Sequence, residues 1–458
     1  MGIKIIKIDT PTLGDRSYLV HDGTTALIID PQRDIDRLND LLSSENVNLG
    51  AVAETHIHND YVSGGLELSR HHGAKYLINE SDPVSFEFQP VKNHQVIDFG
   101  AFAIKALQTP GHTYTHLAYV LINSADENIG VFTGGSLLHG ATGRPDLLGW
   151  ENARELAELQ YRSAHLLSNS LDGRVEIFPT HGFGSFCSAT PTLSDSSTMA
   201  DEGIRNPVFL RDLQHYITAT LDSLDKYPTY FTKMGSANRN VAASVDLSEL
   251  MTISWDEIHT AIESGAWVVD LRDRIQWAKN HVKGSVSLGV DGSLASYLGW
   301  LYPYEKDLYL LSDQSIHIAT AQRELVRIGI DRPQGCFIGS FSPLDKTSSI
   351  RLATFSELAE ASKAAKIVVL DVRQILERRK SHLKSSLFIP FYEVERRVEE
   401  LPSSGEIWVH CASGYRAAAV VGFIESSGRT PVLINEDYKA AASISGLSIE
   451  YLEEDSAI

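Results

Sequence analysis

What this chain has little of narrows the reading first. Only 3 cysteines occur in 458 residues. They are Cys187, Cys336 and Cys411, far apart and odd in number, which argues against a disulfide framework and leaves room for a catalytic thiol in a reducing compartment. Basic residues are outnumbered, 40 Lys and Arg against 59 Asp and Glu, for a formal net charge of -19. No basic run stands against that field, so nucleic acid and anionic membrane are not expected partners and small molecules are. No apolar stretch approaches the roughly 20 residues a membrane helix needs. The opening MGIKIIKIDTPTLGDRSYLV alternates like a strand and has no apolar core followed by a small-residue cleavage site. The expectation is a soluble, cytoplasmic protein.

What is present reads as globular: 22% charged and 43% hydrophobic residues are ordinary values. The length exceeds what one hydrophobic core serves, so about two to four domains are expected. Residues 16–30 and 49–55 read as buried strands with a helical DRLNDLLSS between them, an α/β beginning. A helical FLRDLQHYITATLDSL follows after residue 200, then an irregular, turn-rich YPTYFTKMGSANRNVAAS, which places a boundary near 245. Beyond it the chain aligns with itself at a period of about 100 residues. TISWDEIHTAIESGAWVVDLRD matches ATFSELAEASKAAKIVVLDVRQ, each a short helix feeding a buried strand that ends in Asp-x-Arg, so Asp270 matches Asp371. The expected domains are 1–245, 250–345 and 350–458, the last two small parallel α/β units.

In VHCASGYRAAAVVGFIES a strand delivers Cys411 into a tight turn at Gly414, and a helix begins near Arg416. Successive backbone N–H groups and the helix dipole then point at whatever sits on the sulfur. Arg416 would add a fixed positive charge to orient an anion and Ser413 a hydroxyl donor, which makes Cys411, Arg416 and Ser413 the candidate catalytic residues. HCASGYRA resembles the active loop of the rhodanese family, and the likeness spans both repeats, from about 250 to 455. That resemblance implies sulfane-sulfur transfer through a persulfide on Cys411. The spacing is Cys-x4-Arg, one residue shorter than the Cys-x5-Arg of related phosphatases. In the first repeat Ser312 aligns with Cys411 and His317 with Arg416, so that unit is read as inactive, with no base expected beside the serine. Cys336 falls outside the loop and is read as a core residue.

Histidines carry the second signal. His56 and His58 in ETHIHNDYVSGG follow an apolar strand, and His112 in TPGHTYTH follows a Pro-Gly turn. Two alternate histidines on a strand-end loop can converge on one ion, and a distant third completes a three-nitrogen set that suits zinc or iron. The ordered series T-H-x-H-x-D, P-G-H-T and F-T-G-G resembles the metallo-β-lactamase superfamily. THIHNDYVSGG, TPGHT, VFTGGSLLHGATGRPDL and PTHGFGSFC are most similar to its persulfide dioxygenase branch, including members fused to tandem rhodanese domains. The implied architecture is a multi-domain α/β chain, a metallo-β-lactamase αββα sandwich followed by two rhodanese-like α/β domains. The implied activity is oxidation of a low-molecular-weight thiol persulfide, such as glutathione persulfide, to sulfite with O2 at one Fe(II) per chain. The resemblance also makes a homo-oligomer the expectation.

Two positions depart from that family's pattern. Gly135 stands where the carboxylate ligand is usual, and Tyr61 where the superfamily's H-x-H-x-D-H ends in histidine, which disfavours a two-zinc hydrolase. What remains for one ion is His56, His58 and His112, with Asp60 or His139 as possible helpers. His181 is read as structural, His71 and His72 as surface residues, and Arg144 with Asp146 as either an anchor for a carboxylate-bearing thiol or a loop-ordering ion pair. Three functions stay open: a persulfide dioxygenase–sulfurtransferase acting on thiol persulfide, thiosulfate or sulfite; a thioester hydrolase of the hydroxyacylglutathione hydrolase type fused to a sulfurtransferase; and a metal-free scaffold domain attached to a Cys411 sulfurtransferase.

Overall fold

Period-two alternation along the early strands divides their side chains between two cores. In the strand Asp15–His21, Tyr18 and Val20 enter one core and Leu19 the other. In Thr25–Ile29, Leu27 and Ile29 separate in the same way from Ala26 and Ile28. A computed structural model describes residues 2–189, 194–341, 346–364 and 367–451. The end of the expected third domain, 452–458, lies outside the described residues. Two compact units result, 1–246 with 325–329, and 247–324 with 330–458.

The first unit is an αββα sandwich. One sheet orders its strands Lys4–Thr10, Asp15–His21, Thr25–Ile29, Asn48–Ala53, Lys75–Asn79 and Gln89–Val91; the other runs Glu176–Pro179, Asn128–Gly134, Leu117–Asn123, Phe102–Gln108 and Val96–Asp98. Their facing surfaces meet in a core that includes Tyr18, Leu27, Phe102, Tyr119, Phe132 and Phe178. On the outer faces, the helices Asp36–Glu45 and Gly65–His72 bury Leu38, Leu42 and Leu68 against the first sheet. The helix Ala153–Ser170 buries Ala157, Ala164 and Leu167 against the second.

Three details differ from the sequence-based expectations. The strand expected over 16–30 is a hairpin, because Asp22 Oδ1 accepts the N–H groups of Thr24 and Thr25, each at 2.8 Å, and Gly23 takes φ +94°. The helix expected over 209–224 is broken where Asp212 caps a new start at Leu213 by accepting from Gln214 and His215. The irregular 227–244 contains a helix, Phe231–Arg239, whose Phe231, Met234 and Asn238 bury one face.

The second unit holds two parallel sheets, ordered Val286–Ser287, Trp267–Asp270, Leu308–Ser312, Gly335–Ile338, and Arg351–Ala353, Thr430–Ile434, Glu406–His410, Val368–Asp371, Leu387–Phe388. The aligned Asp-x-Arg motifs adopt one conformation. Arg272 Nη2 donates to Asp270 at 2.6 Å and to Asn280 O at 2.8 Å, and Arg373 Nη2 to Asp371 and Ser381 O, both at 2.7 Å. Each guanidinium also lies over a ring, Phe341 at 3.4 Å and Tyr438 at 3.7 Å. Cys336 is buried within the strand Gly335–Ile338. Among the described residues no helix is long and apolar enough to cross a membrane.

Phe132 is fully buried at the sheet-to-sheet interface. Phe132→Ala is expected to lower the unfolding free energy of the first unit by about 3–5 kcal/mol, read as a reduced denaturation midpoint in urea.

Candidate active site: a histidine centre and a thiol loop

The strand Asn48–Ala53 ends beside Asp30, a fully buried carboxylate at φ +52° at the end of the neighbouring strand. Thr55 donates to it twice, from its N–H at 2.7 Å and its hydroxyl at 2.8 Å, and the Thr180 hydroxyl donates to the same carboxylate. Burial opposes the charge of Asp30, but His58 and these donors hold its carboxyl below the usual range. With its own proton committed to Asp30, the Thr55 hydroxyl accepts from His56 Nδ1 at 2.9 Å. Nε2 of His56 therefore keeps its lone pair, and burial and neighbouring imidazoles keep the ring neutral by pulling its pKa well down.

His112 is prepared in the same way. Its Nδ1 donates to Arg144 O at 2.9 Å, and buried Nε2 has no hydrogen-bond partner. Burial, reinforced by His181, lowers its pKa to about 3. The ring is enclosed by glycine backbone: a Cβ on Gly135 would lie 2.2 Å from His112 Cδ2, and one on Gly143 2.6 Å from Nδ1. Gly135 is therefore set by packing as well as by chemistry. Its missing side chain is the space His112 occupies, and a Gly135→Asp change would not restore a ligand without moving that ring.

His181 stands on the loop after the strand Glu176–Pro179. Its Nδ1 faces Asp15 Oδ1 at 2.9 Å and Asp60 Oδ2 at 3.0 Å, and its Nε2 lies 3.3 Å from His56 Nε2. Burial disfavours its charge, but Asp60 and Asp15 outweigh that and raise its pKa to about 10. The ligand atoms of His56, His112 and His181 all lie within 4.8 Å of one another. His58, expected with His56 and His112, is grouped with Asp60 and His181 instead. Its Nε2 is spent on Glu54 Oε2 at 3.1 Å, Asp30 Oδ1 at 3.2 Å and the Tyr61 hydroxyl at 3.0 Å. Burial is again outweighed, here by Asp30 and Glu54, and His58 titrates at about 9. Tyr61 fills the space beside it, its ring stacked at 4.3 Å.

The donor set fits a divalent cation. Three buried imidazoles converge, each with Nδ1 committed elsewhere, and His112 Nε2 is a buried polar atom with no partner; His58 Nδ1 and Asp60 Oδ1, likewise buried without a partner, belong to the neighbouring group with His181. His139 does not contribute, because both ring nitrogens face carbonyls, Ser194 O and Ile177 O, at 2.9 and 3.1 Å. Arg144 and Asp146 form a loop-ordering pair at 2.7 and 2.8 Å, with Arg144 also donating to Phe186 O and Asp225 O. Cys187 is buried beside Asp60, and burial with that carboxylate pushes its thiol well above the usual range. His71 and His72 are exposed.

In the second unit, the strand Glu406–His410 ends at Cys411, and Gly414, at φ +97°, turns the chain into the helix Tyr415–Ser426. The Gly414 N–H donates to Cys411 Sγ at 3.1 Å, the first contact of the expected anion cradle. Ser413 is exposed. Arg416 is already paired: its guanidinium meets Glu377 at two points, Nη2 to Oε1 at 2.8 Å, and is buried. The corresponding Ser312 does have a base nearby, His317 Nδ1 at 2.9 Å, contrary to the sequence reading, but the serine is fully buried.

Residues 354–443 match the rhodanese-like domain family. A crystal structure of a metallo-β-lactamase from Staphylococcus aureus subsp. aureus COL aligns with TM-score 0.67 at 23% identity, covering 74% of this chain and 100% of that one. The chain joins a metallo-β-lactamase fold to a rhodanese-like domain. It is 27% identical over 179 residues to a hydroxyacylglutathione hydrolase of Prochlorococcus marinus (strain MIT 9211), covering 38% of this chain and 67% of that protein. It is 29% identical over 182 residues to the lactamase-like protein nscB of Trichophyton rubrum, 37% of this chain but only 55% of that protein. In the metallo-β-lactamase fold, sequence reasoning missed the His181 contact with His56 and the roles of Asp15, Asp30 and Thr180. His181 carried a usable signal, its place in a strand-to-loop Pro-Thr-His-Gly. Asp30 carried none.

Two ligand sets are separable by metal content. His181→Ala and His112→Ala are each expected to weaken retention of added iron or zinc at least about tenfold, in elemental analysis after dialysis. Full retention by His181→Ala, with loss in His58→Ala, would return the site to His56, His58 and His112.

Proposed function

We propose that the chain is a two-centre sulfur enzyme, a persulfide dioxygenase of the metallo-β-lactamase fold joined to a Cys411 sulfurtransferase. The observation that carries this reading is the pairing in one chain of three converging buried imidazoles, His56, His112 and His181, and a strand-to-helix loop that aims an N–H at a thiol. His56, His112 and His181 would hold Fe(II), with Asp60 adjacent. Fe(II) held there would supply the redox chemistry by which O2 and water convert a thiol persulfide to sulfite and the free thiol. The chain's own residues contribute position: Thr55 and the Arg144 carbonyl fix two imidazole tautomers, and burial keeps competing water away from the centre.

At the rhodanese-like domain, the Cys411 thiolate attacks the outer sulfur of thiosulfate. The S–S bond breaks with its electron pair leaving on sulfite, and Cys411 becomes a persulfide. Run in reverse, sulfite made at the histidine centre takes the sulfur and leaves as thiosulfate. Gly414 N–H stabilises negative charge on sulfur in both directions. Three free cysteines suit a reducing, cytoplasmic setting. A thioester hydrolase is the second reading, favoured by the likeness to a hydroxyacylglutathione hydrolase and by the retained Asp60 and His181.

Iron-loaded protein is expected to consume O2 when given glutathione persulfide, and Cys411→Ser to retain that uptake while losing sulfur transfer from thiosulfate to cyanide. No O2 uptake, together with zinc-dependent cleavage of an acylglutathione, would replace the dioxygenase with the hydrolase.

A further inference from the structure

The loop that carries Cys411 is not held by the second repeat alone. Arg274 opens the helix Arg274–Lys279 in the first repeat. Its Nε donates to Asn435 Oδ1 at 2.6 Å and its Nη2 to the carbonyl of Ser413 at 3.4 Å. That carbonyl shares a peptide plane with the Gly414 N–H, which donates to Cys411 Sγ at 3.1 Å. One peptide unit thus accepts from a guanidinium at one end and donates to the nucleophilic sulfur at the other. The Tyr415 hydroxyl, donating to Gly289 O at 2.8 Å, is a second tie from the following residue to the first repeat. There is no slack between loop and arginine: a Cβ on Gly414 would lie 2.6 Å from Asn435 Oδ1 and 3.3 Å from Arg274 Nε.

We propose that Arg274, in the repeat that has no thiol nucleophile of its own, is a positioning residue of the Cys411 site. It holds the Ser413–Gly414 peptide so that its N–H meets the sulfur, and it polarises that peptide toward negative charge on Sγ. Hydrogen bonds in series strengthen one another, and a cation at the carbonyl end makes the N–H a better donor. The charge of Arg274 is only weakly offset, since its nearest carboxylate, Asp291, is 3.9 Å away and half exposed. Arg416, the obvious cation of the loop, is already neutralised by Glu377. The second repeat has Ile375 at the position aligned with Arg274, so only the first repeat offers this donor. The inference rests on Cys411 being the nucleophile of the proposed function.

The test uses the full chain with Arg274→Met and Arg274→Lys. Two readouts are taken at neutral pH: alkylation of the Cys411 peptide by iodoacetamide, and kcat and KM for sulfur transfer from thiosulfate to cyanide. Arg274→Met is expected to slow alkylation and kcat by about tenfold, the scale of one hydrogen bond involving a charged group, with KM for thiosulfate little changed. Arg274→Lys should recover most of both rates. Unchanged alkylation in Arg274→Met overturns the proposal. So does an equal loss in both variants that tracks a lowered melting temperature, because it would make Arg274 a clasp between repeats and nothing more. Should Arg274→Met fail to fold, Asn435→Ser removes only the anchor on Nε: slower alkylation at an unchanged melting temperature supports the proposal, and an unchanged rate overturns it. An unmodified chain that alkylates at Cys411 but transfers no sulfur would refute the sulfurtransferase reading, and the alkylation comparison would still decide the role of Arg274.

Discussion

Burying a carboxylate is costly unless donors surround it, and the first unit is organised around one that meets this condition. Asp30 receives the Thr55 N–H, two threonine hydroxyls and His58. Those partners lie on separate strand ends, so satisfying one charge brings together the loops that carry His56, His58 and His181. The ligand histidines then inherit their orientation from it. Thr55 can accept from His56 Nδ1 only because its own proton is spent on Asp30. Remove the carboxylate, and the tautomer that leaves His56 Nε2 open has nothing to enforce it.

The second unit repeats the device with a different partner. In each repeat a buried aspartate at a strand end is neutralised by the arginine two residues on, which lies over a ring and ties down a carbonyl eight residues away. The repeats diverge beyond that shared frame. Arg416 pairs with Glu377 beside the Cys411 loop, and the aligned positions of the first repeat are His317 and Gln276, so neither half of that ion pair is present there. Ser312 and His317 instead close that loop on itself with a hydrogen bond. The first repeat shares the scaffold, has no thiol in the corresponding loop, and contacts its neighbour's loop through Arg274 and the Gly289 carbonyl.

The α/β character of both units was legible because buried strands feeding helices, and the Asp-x-Arg repeat, can be read along the chain, whereas the αββα sandwich and the rhodanese-like domain were legible through the resemblance of the histidine motifs and of HCASGYRA to known families. So was Cys411, since a strand, a glycine turn and a helix are consecutive in the chain. Less was legible wherever a side chain's partner is distant. Arg416 reads as a free cation next to a thiol, and only the fold reveals Glu377 against it. His58 reads as a partner of His56, yet its Nε2 turns to Asp30 at the end of a neighbouring strand, as well as to Glu54 four residues before it.

Gly135 marks the boundary between the two kinds of information. Read along the chain, Gly135 offers no side chain, Tyr61 brings a phenol and no imidazole, and Cys411 stands between a strand and a glycine turn that opens a helix. These are statements about which atoms exist. It takes the folded chain to show that the space at Gly135 belongs to the His112 ring, that His181 stands beside His56, and that an arginine 137 positions before Cys411 reaches the peptide beside its sulfur. Such facts concern which atoms meet. Contacts between residues far apart in sequence are set by sheet order and helix packing, which no local pattern encodes.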